Sequence, residues 1–122
     1  MLEISVRKVA RVILRAREFD ADMPPDDLSR SRLRSTAEQE LRSYIADLNE
    51  DEQASLVALT WIGRGTFEAE ELEEAIRTAR EEATAPTEDY LLGIPLLSDY
   101  LEHALDKLGV PVNEIEDEIR GH

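Results

Sequence analysis

Leu48–Phe67 reads LNEDEQASLVALTWIGRGTF, and this stretch decides the fold. Asn49 followed three residues later by Glu52 has the spacing of a capping box, with Asn in place of the usual Ser or Thr. A helix starting there runs to about Ile62. Along it Ala54, Leu56, Val57, Ala58, Leu59, Trp61 and Ile62 leave almost no polar face. A helix that is apolar nearly all round needs other helices on most sides, so it belongs in the middle of a bundle. Gly63 and Gly65 are expected to end it, because glycine takes the left-handed C-terminal conformation at little cost. Arg64 then stands at the negative end of the helix dipole, where a cation is stabilising.

The flanking sequence supplies the helices that this one needs. Ser5 can cap a first helix running to about Phe19. Val6, Val9, Val12, Ile13, Ala16 and Phe19 share one broad face of it, and Arg7, Lys8, Arg11, Arg15 and Glu18 share the other. The stretch FDADMPPDDLSRSR follows, and residues 20–32 are expected to form a mobile loop. A second helix from about Leu33 builds its core face from Leu41, Tyr44, Ile45 and Leu48. Beyond the central helix, Thr66 can cap a helix over Glu68–Ala83 with a buried stripe of Leu72, Ala75, Ile76 and Ala79. Pro86 breaks the chain, Thr87–Leu92 makes a short helical turn, and Gly93 stops it. Pro95 suits the first position of a further helix, carried by Leu96, Leu97, Tyr100, Leu101, Ala104, Leu105 and Leu108. Asn113 and Glu116 repeat the capping-box spacing before a short final helix, Glu114–Arg120. No segment alternates as a strand does. The expected fold is all-α: a compact single-domain bundle of five or six helices over 1–122, with a mostly apolar central helix.

Composition narrows the function classes. The 122 residues include no cysteine, which excludes thiol catalysis, disulfide scaffolds and thiolate zinc sites. The absence of thiols fits a reducing compartment, and the N-terminus lacks the pattern of a signal peptide. The longest apolar run is Leu56–Leu59, far short of a membrane span. A cytoplasmic location with no membrane role is expected. The net charge is −14, unevenly spread: residues 1–42 carry 9 basic and 8 acidic side chains, residues 43–122 carry 5 and 20. The second balance repels phosphate backbones, so nucleic-acid binding is disfavoured.

Four groups of residues merit weighing as sites. Trp61, Gly63, Arg64 and Gly65, with Tyr90, could bracket a ligand or partner: an indole face, a close backbone approach and a guanidinium that grips carboxylate or phosphate. A structural reading, a helix C-terminus with a buried Trp, covers the same residues. Arg7, Lys8, Arg11 and Arg15 form a basic face for an acidic partner or for self-association. The alternative is that they offset the acidic body, and no aromatic residues interleave with them for base stacking. Asp99, Glu102, His103 and Asp106 share one helix surface, but a single histidine among carboxylates is weak support for a metal or for acid–base catalysis. Asp47, Asn49 and Asp51 begin like a calcium loop, yet Glu52 replaces the required Gly and Ala58 stands at the twelfth position. Ser98 has no base beside it. No metal, cofactor or catalytic residue is assigned.

Two segments carry a resemblance. Leu48–Phe67, with its ordered LNEDEQ, LVAL and WIGRG, and Tyr90–Gly109, YLLGIPLLSDYLEHALDKLG, together with REFD at Arg17–Asp20, resemble a small bacterial family of unknown function, numbered 3775 among such domains. The resemblance covers most of the chain and is weakest between Asp22 and Glu40. It implies a fold and no reaction. The expectation is therefore a non-catalytic helical protein-interaction or regulatory module, using an unidentified protein partner or self-association. The alternative is a small-molecule-binding protein or a cryptic enzyme with a pocket near Trp61, Arg64 and Tyr90.

Overall fold

The computed structural model describes residues 4–21, 38–82 and 86–110. The expected loop beyond residue 21, the start of the second helix near Leu33 and the final helix Glu114–Arg120 lie outside the described residues. The described part is all-α, with no strand.

Helix α1 spans Val6–Ala21. Ser5 caps it as expected, its Oγ accepting from the Lys8 N–H at 3.2 Å. Val9, Ala10, Val12, Ile13 and Ala16 are buried, and Val6 packs against their edge. Helix α2 covers residues 38–46 and buries Leu41 and Ile45, with Leu48 following in the turn. Tyr44 is only half-buried.

Helix α3, Glu50–Arg64, is the centre of the molecule. The capping box is complete: the Glu52 N–H donates to Asn49 Oδ1 at 2.8 Å, and the Asn49 N–H donates to Glu52 Oε1 at 3.1 Å. Every residue from Ala54 to Gly63 is buried. Of its two buried hydroxyls, Ser55 and Thr60, that of Thr60 is satisfied within the helix by donating to the Leu56 carbonyl at 2.9 Å. The chain leaves α3 through Gly65 at φ 96°. There the Gly65 N–H reaches the Ile62 carbonyl and the Thr66 N–H reaches the Trp61 carbonyl, the paired bonds of a Schellman motif.

A 3₁₀ turn, Ala69–Glu71, leads into helix α4, Leu72–Glu81. The buried stripe of α4 is the expected Leu72, Ala75, Ile76 and Ala79. Thr66 does not cap this helix. Glu68 precedes the turn, and its N–H is taken by Glu71 Oε1 at 2.8 Å, while Thr66 Oγ1 accepts from Arg64 Nε at 3.1 Å. Helix α5, Thr87–Leu92, ends at Gly93 as expected and buries Leu91. Helix α6, Leu97–Lys107, starts two residues after Pro95, so Pro95 belongs to the turn and is not its first residue. Leu96 occupies the N-cap position with φ 64° and is exposed. It therefore contributes nothing to the core, which takes Leu97, Leu101, Ala104 and Leu105 instead.

The packing follows from these faces. Helix α3 lies against α4, α5 and α6, and α1 lies against α6. Each fully buried leucine at this centre, such as Leu56, Leu59, Leu101 or Leu105, contributes about 1.5–3 kcal/mol from burial. Ion pairs tie the helices at their edges: Lys8 to Glu52, Arg17 to Glu102, Arg42 to Asp89 and Arg80 to Asp51. Among the described residues no helix is long and apolar enough to cross a membrane.

Candidate functional site

A cleft of about 640 Å³ opens between α3, the end of α4 and α5. Its floor comes from one face of α3, where Ala54, Val57 and Trp61 recur at helical spacing, and from Ala79 of α4. Pro86, Thr87 and Tyr90 form the opposite wall. Trp61 closes one end. Its ring stacks on Phe67, with centroids 5.7 Å apart and planes 25° from parallel. Its Nε1–H donates to the Tyr90 hydroxyl at 2.9 Å. An indole N–H in so buried a setting needs a partner. This bond fixes α5 against α3 and holds Tyr90 at the mouth of the cleft, where it is 40% exposed.

The rim is acidic. Glu50 of α3, Glu82 at the C-cap of α4 and Glu88 of α5 all line the cleft. Arg80 also lines it, but its guanidinium is held by Asp51. The other polar side chain near the floor, Gln53, donates its Nε2–H to the Ile45 carbonyl at 2.9 Å.

The residues singled out in the sequence are dispersed by the fold. Trp61 and Tyr90 meet, as a shared site requires. Gly63 lies inside α3 and does not end it. It is buried where α3 crosses α6, and a Cβ there would stand 1.7 Å from the Tyr100 carbonyl oxygen. Gly65 is the true C-terminal glycine. Arg64 is exposed, bonds to Thr66, and is not among the described residues that line the cleft. Arg64 stands in the last turn of α3, as expected, and Lys107 adds a second cation at that carbonyl end, its Nζ donating to the Ile62 carbonyl at 3.0 Å.

The basic face of α1 is split in a similar way. Lys8 Nζ bonds Glu52 Oε2 at 2.5 Å. The Lys8 ammonium and the Asn49 N–H together hold the Glu52 carboxyl below the usual carboxylate range, against the opposing effect of burial. The Arg15 guanidinium lies over the Tyr44 ring, 4.7 Å from its centroid. Arg7 and Arg11 face outward. Of the carboxylate–histidine surface on α6, Glu102 is paired with Arg17 and His103 is exposed. Among the described residues no group of three or more His, Asp or Glu side chains is placed to hold a metal ion.

Sequence reasoning missed the floor and rim of the cleft. Ala54 and Val57 read as core and are buried, but periodicity marks a face as apolar without showing that it lies along a cleft. Glu82 and Glu88 carry no signal in the sequence, since only the packing of α4 and α5 on α3 brings them to one opening.

No curated protein and no solved structure matches the chain. The family profile described as Protein of unknown function (DUF3775) does match it, over residues 38–110. That span runs from α2 through α6 and contains every residue that shapes the cleft. On that match the chain belongs to the DUF3775 family.

Proposed function

We propose that the protein is a non-catalytic, cytoplasmic bacterial protein-interaction module that docks a partner in the α3–α4–α5 cleft. The observation that carries this reading is the engagement of polar side chains that line the cleft. The Trp61 N–H, the Gln53 amide and the Arg80 guanidinium each hold a helix in place. What the cleft offers a visitor is apolar surface and carboxylates, which suits docking better than proton transfer or nucleophilic attack. The test is affinity capture from native lysate with the tagged chain, beside a Thr87→Tyr variant that fills the cleft and an Arg7→Glu/Arg11→Glu variant that changes α1. A stoichiometric partner lost only with Thr87→Tyr supports the proposal. A partner lost only with the α1 variant, or retained by both, overturns it.

The volume of the cleft favours a second reading, a small-molecule-binding protein, because about 640 Å³ falls within the range of ligand pockets. Trp61 is the only tryptophan, so its emission reports directly on the floor. A metabolite panel that changes neither Trp61 emission nor the melting temperature would exclude this alternative.

A further inference from the structure

Three carboxylates gather at the cleft, two of them, Glu50 and Glu88, in the first turns of α3 and α5, where the helix dipole favours them. Among the described residues Glu50, Glu82 and Glu88 have no ion-pair partner, while Arg80, the cation beside them, is held by Asp51. Glu82 is placed against its own helix. It sits at the C-cap of α4, where the unsatisfied carbonyls already make the helix end negative. A carboxylate at that position raises the local negative potential, and a cation arriving there is attracted by both. Below this rim lies the apolar floor of Ala54, Val57, Trp61 and Ala79.

Resting on the docking reading above, we infer that the cleft selects a partner protein segment that presents an arginine or lysine beside an apolar side chain. The apolar side chain covers the floor between Val57 and Trp61, and the cation sits at the rim among Glu50, Glu82 and Glu88. The net charge of −14 steers a basic partner toward the chain. The same charge opposes a second copy as the occupant, because two such bodies repel. It also opposes an acidic peptide, which would bring carboxylates to a carboxylate rim.

The experiment is selection of a random displayed peptide library against the immobilised full chain, with counter-selection against the Thr87→Tyr variant. Winning peptides are then synthesised without tryptophan and titrated by Trp61 emission. The expected winners carry Arg or Lys next to a Leu, Ile, Met or Phe. Their affinity should fall about tenfold in the Glu50→Gln/Glu82→Gln/Glu88→Gln variant, whose melting temperature should change little, because Gln at positions 50 and 88 loses a favourable first-turn charge while Gln at position 82 removes an unfavourable one at a helix C-terminus. It should also weaken as salt is raised to about 0.5 M. Winners that depend on the open cleft but are neutral or acidic, or that bind the triple variant as tightly as the wild type, overturn the cation selection and leave cleft docking intact. A selection that yields no peptide lost with Thr87→Tyr overturns the docking reading and this inference together.

Discussion

Replacing Gly63 with alanine should destabilise the protein, although helix propensity alone says the reverse. Alanine is favoured over glycine in a helix interior by about 1 kcal/mol, and Gly63 lies within α3. The structure opposes this gain. A Cβ at position 63 would stand 1.7 Å from the Tyr100 carbonyl oxygen, 2.5 Å from its carbon and 2.8 Å from its Cα. These are all backbone atoms, so no rotamer change relieves the overlap. An ordinary contact needs about 3.4 Å, so α6 would have to withdraw by about 1.7 Å. That movement would part Leu97, Leu101, Ala104 and Leu105 from the core, since all four are buried on α6. Gaps of even ~0.5–1 Å lose a quarter to a half of the dispersion attraction across them. Overpacking of this kind costs about 3 kcal/mol, leaving a net loss of about 2 kcal/mol and a melting temperature lower by about 8 °C. Urea and thermal unfolding followed by circular dichroism measure both. Gly65→Ala is the control: nothing lies within 4 Å of its Cβ position, but its φ of 96° strains any L side chain, at about 1–2 kcal/mol. A Gly63→Ala protein as stable as the wild type, or more stable, would refute the close crossing of α3 and α6.

Other outcomes follow from the same contacts. Asn49→Ala should cost about 1–2 kcal/mol in urea unfolding, because it removes the side-chain half of the capping box, whereas Thr66→Ala should stay within about 0.5 kcal/mol, because Thr66 caps no helix. Tyr90→Phe keeps the ring but leaves the Trp61 N–H without its acceptor, so it should lose about 1 kcal/mol and shift the Trp61 emission; an unchanged spectrum counts against the bond. The lowered pKa of Glu52 means that its pairing contributes fully above the ordinary carboxylate range and is lost as pH falls through the lowered value. Lys8→Met should therefore reduce stability at neutral pH by about 1 kcal/mol or less and flatten the acid limb of the stability–pH curve, and a curve of unchanged shape would argue against the Lys8–Glu52 pair.

The alternating demands of apolar and polar faces made most of the fold legible from the sequence. The capping box at Asn49, the burial of α3, the stripe Leu72, Ala75, Ile76 and Ala79, and the short α5 ending at Gly93 all depend on residues within a few positions of one another. Local chemistry of that kind is written in spacing. Where the reading went astray, the local signal was ambiguous. Two glycines near one helix end both look like terminators, and only the approach of the α6 backbone assigns Gly63 to a crossing and Gly65 to the cap. Pro95 fits a helix start, yet α6 begins only after Leu96, which takes a left-handed φ of 64° at the N-cap position.

The candidate site was half legible. Trp61 and Tyr90 stood out as residue types, and the structure joins them by a hydrogen bond across 29 positions of sequence. Arg64 stood out equally, but it is the last residue of α3, exposed and bonded to Thr66 in the turn that follows, away from the residues that line the cleft. Helix type, caps and apolar stripes were determined by the sequence itself, since each is settled by neighbours within one or two turns. Which apolar residues line a cleft, which charges converge on it and which cations are already paired were decided only by tertiary packing. Those properties belong to pairs of helices, and no periodicity within one helix encodes the position of another.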